Sequence, residues 1–205
     1  MTPGKPTTRS KRTPKAKRPV STSDARARIL EVATGRFATK GFAGVSMREI
    51  AAGCQLTLPT LYHHFGHKRG LFLACRAAVL GDAAAQVRAA LAGGDARDRV
   101  LPATVVLCGL LFGDARLLAF VQFEFHDRAH SSRRGSRRWD PLPELSAAIE
   151  AAHPRVRPMA GLSAAESMVA VVVGHALVHR ARSPDGPAVD AEQFANHALA
   201  LLTMA

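Results

Sequence analysis

The stretch GVSMREIAAGCQLTLPTLYHHFGHKRGLF, residues 44–72, decides the fold. Ser46 and Glu49 form an S-x-x-E capping box, and Val45 before it and Ile50 behind it are spaced for a hydrophobic staple, so a short helix starts at Ser46. Gly53 is expected to end that helix in a tight turn. A second short helix follows over TLPTLYHHF. Thr57 is the expected cap, and Pro59 is tolerated in the first turn because N–H groups there have no intrahelical partner. Leu61 and Phe65, four apart, should face inward. That leaves Thr60, Tyr62, His63 and His64 for the other faces. Gly66 breaks the chain again, and a long helix is expected from about His67 to Leu91.

Upstream, residues 24–40 read DARARILEVATGRFATK. Ile29, Ala33 and Phe37 repeat every four residues with Leu30 beside them, and charges fill the opposite face, which is the pattern of an amphipathic helix. Gly41 stands where a left-handed C-terminal cap is needed. Three helices within 24–65, the last two joined by a glycine-containing turn, have helix-turn-helix spacing. In such a unit one helix enters the DNA major groove, about 12 Å wide, and the others hold it at its angle. Ala51, Ala52 and Gly53 are small enough to let the helices cross closely.

Charge points the same way. The chain of 205 residues has a formal net charge of +12, and residues 1–70 carry 14 Lys/Arg against 3 acids, a net of +11. The remaining residues carry 14 against 13, a net of +1. A basic module joined to a near-neutral one suggests a polyanion-binding end and a separate regulatory or assembly end. Residues 1–22 hold Lys5, Arg9, Lys11, Arg12, Lys15, Lys17 and Arg18 with four prolines and no acid. They read as a disordered basic tail, either merely solubilising or adding phosphate and minor-groove contacts. The tail has no apolar stretch of the kind a signal peptide needs. The longest run free of both charged residues and histidine, Val100–Gly113, is 14 residues and too short to cross a bilayer. Cys54, Cys75 and Cys108 lie far apart without a CxxC, as reduced, buried thiols do. These features together predict a cytoplasmic protein without a membrane partner.

Apolar residues make up 47% of the chain and aromatics only 5%, a composition that favours helices over strands. Further helices are expected near 96–112, 114–130, 141–153, 162–182 and 188–204, separated by Gly93-Gly94, Gly113, the loop 131–138, the Pro154–Pro158 region and Ser183–Pro187. No strand and no internal repeat is expected, so the fold class is all-α.

The stretch 44–72 also resembles the signature of the TetR/AcrR family of transcriptional regulators. The resemblance rests on Gly44–Ser46, Arg48–Ala51, Leu61–Tyr62, Phe65, Lys68 and Leu71–Phe72 and covers roughly residues 23–83. It implies an N-terminal helix-turn-helix domain over 23–83, with the motif at 46–65, and a helical regulatory and dimerisation domain over 84–205. By the same resemblance Ser46 and Arg48 approach DNA from the start of the second helix. Thr57, Leu58, Pro59 and Thr60 lie nearest the bases, Tyr62 and His63 touch phosphate or base edges, and Lys68 holds a phosphate. His63 is preferred to His64, since the two flank one spot. The residue chemistry agrees, because hydroxyls, an Arg and helix N-terminal N–H groups suit phosphate oxygens, and Pro59 with the Thr60 methyl can meet a thymine methyl.

The resemblance further implies a homodimer built on the last two long helices, which sets two reading heads about 34 Å apart over a palindromic double-stranded operator. Segments 162–182 and 188–204 are apolar enough to need such a cover. It implies as well a small-molecule effector in the C-terminal domain. Leu107, Leu111, Phe120, Phe123, Trp139 and Met168 are the candidate lining, and the scarcity of charge in 100–113 favours an apolar ligand. The expected function is a repressor released from its operator by that ligand. The alternative is an architectural DNA-binding protein that uses its basic tail and answers to no ligand.

No metal or other cofactor is expected. His175 with His179, and His126 with His130 beside Asp127, have the spacing of paired ligands but no supporting third residue. The cluster Arg133, Arg134, Arg137 and Arg138 reads as a solvated loop. An enzyme is disfavoured, because GxSxG, P-loop, GxGxxG and HExxH motifs are all missing from the sequence.

Overall fold

The computed structural model describes residues 22–130, 143–182 and 189–203. All their regular structure is helical, in the order α1 (Thr22–Lys40), α2 (Met47–Cys54), α3 (Leu58–Phe65), α4 (Lys68–Ala90), α5 (Ala96–Gly113), α6 (Ala115–His130), α7 (Pro143–Ala152), α8 (Ala164–Arg182) and α9 (Ala191–Thr203). Trp139, the four-arginine loop and nearly the whole basic tail lie outside the described residues, as do the side chains of Asp127 and His130.

Several helix starts have a local cause. Ser46 Oγ accepts from the Glu49 N–H (3.1 Å) and Glu49 Oε2 accepts from the Ser46 N–H (2.8 Å), so the expected capping box opens α2. Val45 and Ile50 are both buried, as a staple requires. The same device opens α8, where Ser163 and Glu166 bond reciprocally at 2.8 and 3.2 Å. Asp114 caps α6 and Asp190 caps α9 through their carboxylates. At the end of α1, Gly41 takes φ 68°, the left-handed cap anticipated from its position.

Two local expectations fail. Gly53 does not end α2 but lies within it. The left-handed residue is Gln55 (φ 55°, ψ 37°), and the Leu56 N–H reaches back to the Ala51 carbonyl at 3.0 Å. The lack of a Cβ at Gly53 serves packing instead, because a Cβ there would sit 3.0 Å from both Val32 Cγ1 and Arg36 Nη2 on α1. Ala51 is buried at the same crossing, whereas Ala52 faces outward. Gly53→Val should therefore wedge α1 from α2 and destabilise the protein by about 1–3 kcal/mol, measurable by urea unfolding. Thr57 stands at the N-cap of α3 but gives no side-chain cap; its hydroxyl bonds the Thr60 hydroxyl at 2.8 Å.

The buried residues form two cores that share α4. Leu71, Phe72 and Cys75 belong to an N-terminal core with Ile29, Phe37, Ile50 and Leu61. Leu80, Ala83 and Val87 belong to a C-terminal core with residues of α5 through α9. The division falls between Cys75 and Leu80. Helix α5 is central to the second core, packing on α4, α7 and α9. Helix α6 packs on α1 and α4 as well as on α5, and its Phe120 belongs to the N-terminal core. Arg76 of α4 pairs with Glu124 of α6, with Nη2 donating to Oε2 at 2.6 Å.

By length and composition α4 is apolar enough to cross a membrane. Its apolar residues instead fill the two cores, and Lys68, Arg69, Arg76, Asp82 and Arg88 punctuate it along its length. All three cysteines are buried and free. Burial pushes the Cys75 thiol up to about 11 and that of Cys108 to about 12, which keeps both in the unreactive thiol form.

Candidate nucleic-acid interface

The capping box of α2, the turn at Gln55 and the first turn of α3 lie on one continuous piece of chain, and most of their polar groups face outward. Ser46, Arg48, Thr57, Pro59 and His63 are exposed. Tyr62 keeps 46% of its surface open, the largest outward aromatic among the described residues, while Leu61 beside it is fully buried. The 3.6-residue repeat accounts for this alternation, because Leu61 must fill the N-terminal core and so turns Tyr62 away from it. Phe65, expected to be core, is half-buried, and Arg26 of α1 covers its ring at 5.5 Å. Of the adjacent histidines, His63 is exposed and His64 is half-buried between the His63 and Phe65 rings.

Leu58 departs from the surface role suggested for it. It is half-buried and packs against the N-terminal core, so it offers its backbone N–H more than its side chain. Thr60 is also half-buried, with its hydroxyl engaged by Thr57. The Ser46 hydroxyl is engaged with Glu49 in the capping box.

Lys68 is held in place by the fold. Its Nζ donates to the Ala43 carbonyl at 3.4 Å and lies 4.6 Å from the centre of the Phe42 ring, so the loop after α1 fixes the ammonium at the start of α4. Beside it, His67 caps α4, with Nδ1 accepting from the Gly70 N–H at 2.8 Å. Sequence reasoning missed His67 and Phe42, since neither a His cap nor a distant aromatic leaves a local signature. At Gly70 a Cβ would collide with the Phe65 carbonyl oxygen, which explains a glycine in the first turn of a long helix.

Glu49 is the acid that braces this surface. Hydrogen bonds from the Ser46 backbone, from Lys40 and from the Ser46 hydroxyl hold its carboxyl down at about 2, against an ordinary 4.5. A depressed carboxylate contributes stability that is complete above its unfolded value and is lost as pH falls through the folded one. Acid titration followed by circular dichroism should show that contribution disappearing from about pH 4.5 towards about pH 2. Glu49→Gln, which has no charge to titrate, should flatten this window.

Of the six residues expected to line an effector cavity, the five described ones do not come together. Leu107, Leu111 and Met168 are sealed in the C-terminal core, Phe120 and Phe123 join the N-terminal one, and Trp139 lies outside the described residues. The reason is topological, because α6 folds back on α1. The paired histidines of α8 act as aromatic packing; His175 lies 4.3 Å from the Phe194 ring and 5.8 Å from Phe112, centre to centre. Open clefts do exist. One, about 450 Å³, lies among α4, α5 and α7, with Leu91, Ala96 and Ala148 as walls and Arg88, Arg99 and Glu144 at the rim.

Residues 29–75 match the model of the family described as bacterial regulatory proteins, tetR family. No curated protein is significantly similar to the chain. Among solved structures, a TetR-like transcriptional regulator from Rhodococcus sp. RHA1 aligns with TM-score 0.60 and 21% identity over 92% of this chain and 96% of its own. AmtR of Mycobacterium smegmatis aligns with TM-score 0.62 and 23% identity over 92% of this chain and 90% of its own. FadR of Bacillus subtilis, solved with stearoyl-CoA, aligns with TM-score 0.60 and 15% identity over 86% of this chain and 97% of its own. At these identities the likeness is one of fold. Residues 29–75 thus resemble the tetR family of bacterial regulatory proteins, and the chain as a whole shares the fold of the solved regulators it aligns with.

Proposed function

We propose that the protein is a homodimeric repressor that reads a palindromic operator with α2 and α3 and is released from it by a small ligand. The observation that carries this reading is the outward face formed by Ser46, Arg48, Thr57, Pro59, Tyr62 and His63, with Lys68 fixed at its edge. Hydroxyls, an arginine and the open N–H groups of two helix starts on one surface are the donors that phosphate oxygens and base edges take. In this reading Arg48, Ser46 and Lys68 hold phosphates. Thr57, Pro59 and Thr60 approach the bases with the Leu58 backbone beside them, and Tyr62 and His63 fix the register.

Dimerisation is supported by α8 and α9, where Leu177, Val178 and Leu201 keep 38%, 50% and 66% of their surface open. Aliphatic side chains this exposed near the C-terminal ends of two packed helices call for a partner surface. Ligand control is supported by the cleft among α4, α5 and α7. Its walls suit an apolar body and its rim arginines an acidic group. FadR, bound to stearoyl-CoA, is a relative in fold whose ligand combines both features.

Electrophoretic mobility shifts over a series of salt concentrations test the interface. Arg48→Ala is expected to weaken binding by a similar factor on every duplex and to reduce the salt slope by about 1. Tyr62→Ala should spread its effect unevenly across sequences. An unchanged salt slope for Arg48→Ala would remove that residue from the interface.

A further inference from the structure

A second cleft, of about 280 Å³, opens where the DNA-binding domain meets α6. Phe37, Ala38 and Gly41 at the end of α1, Phe42 in the following loop and Phe72 of α4 form one side. Ala119, Phe120, Gln122, Phe123 and His126 of α6 form the other. Five of the chain's nine phenylalanines therefore meet here. Phe72 is the hub, with its ring centre 5.2 Å from Phe37 and Phe42, 5.4 Å from Phe120 and 4.6 Å from Phe123. Phe37, Phe72 and Phe120 are buried, while Phe42 and Phe123 are half-buried at the opening.

The geometry points to this cleft as a binding site for a small planar aromatic molecule of about two rings that carries one polar group. The lining is a nest of ring faces and edges, which offers a flat π system offset-stacked and edge-to-face partners at ordinary centroid distances. An apolar cavity of about 150 Å³ holds one benzene, so a cleft of 280 Å³ has room for a bicyclic ring. Among the described residues, the polar side chains on the lining are Gln122 and His126, both on α6, and they select for a single hydroxyl or ring N–H.

This site differs from the cleft among α4, α5 and α7 in place and in consequence. Its walls come from both domains, and Phe42 is the ring on which Lys68 rests. A ring stacked at Phe42 shifts the support of that ammonium and braces α6 against α1. Occupancy therefore changes DNA affinity, and bound DNA changes ligand affinity by the same factor. The coupling rests on the DNA-binding reading above, whereas binding of the aromatic molecule does not.

The test uses 2-naphthol and the full chain, by isothermal titration without DNA. Binding is expected to be lost in Ala119→Trp, which fills the cleft, and kept in Ala147→Trp, which obstructs the cleft among α4, α5 and α7. A second measurement does not depend on how the variants fold. With phenylalanine rings labelled with carbon-13, 2-naphthol should shift the Phe42, Phe72 and Phe123 signals and spare Phe112 and Phe194. No binding, or shifts centred on Phe112 and Phe194, would overturn the site. Mobility shifts at saturating 2-naphthol should then show operator affinity reduced about 5–150-fold. If naphthol binds in the cleft and DNA affinity stays constant, the coupling is wrong. If the protein binds no DNA at all, the proposed function fails while the naphthol site stands or falls on the titration.

Discussion

Phe72→Ala is expected to lower the stability of the protein by about 3–5 kcal/mol and to loosen the junction between its two cores. The side chain is 4% exposed and its ring touches four others, contributed by α1, the loop after it and α6. Truncation removes the transfer free energy of a buried aromatic and leaves a void bounded by ring faces that cannot collapse without moving α6. Phe72 also sits one turn into α4, beside the residues that hold Lys68, so the loss is felt at the candidate DNA-binding surface as well as in the melting curve. Guanidinium unfolding of the two proteins gives the difference directly. A change under about 1 kcal/mol would mean that the five-ring cluster is far looser than its distances imply.

The other large effect belongs to the assembly. Val178→Asp combined with Leu201→Asp places carboxylates on the open apolar faces of α8 and α9. If those faces meet in a dimer, the double variant buries charges without partners, and the dimer dissociates. A monomer carries one reading head, so operator affinity should fall towards the non-specific level, about 10³-fold or more. Analytical ultracentrifugation should report the monomer, and circular dichroism should report intact helices, because both side chains lie outside the monomer's cores. A double variant that remains dimeric would move the interface elsewhere.

How far the sequence could be read depended on whether the controlling interaction was local. The α2 cap, the Gly41 cap and the inward repeat of Ile29, Ala33 and Phe37 involve residues four or fewer apart, and all were legible. The start of α8 obeys the same S-x-x-E rule at Ser163 and Glu166, so its beginning at Ala164 is legible in the sequence, two residues after the start that the apolar pattern suggests. Gly53 misled because glycine serves two purposes. In sequence it reads as a turn former, whereas it lets α1 approach, and Gln55 takes the left-handed conformation without any compositional sign. The outward face of α3 follows from the burial of Leu61, but the inward lean of Leu58 depends on a core gathered from five helices. The effector lining was least legible. Helical spacing identifies Leu107, Phe120 and Met168 alike as apolar, and only the return of α6 onto α1 separates Phe120 from the other two.

The most direct measurement is selection of the purified protein on a pool of random duplexes, followed by sequencing, with Tyr62→Ala selected in parallel. The expected result is an enriched palindrome whose half-sites lie about one helical turn apart, present for the wild type and lost or degraded for the variant. Salt-sensitive binding with no enriched sequence, equal in both proteins, would contradict base reading by α2 and α3 and leave the protein a non-specific binder of DNA.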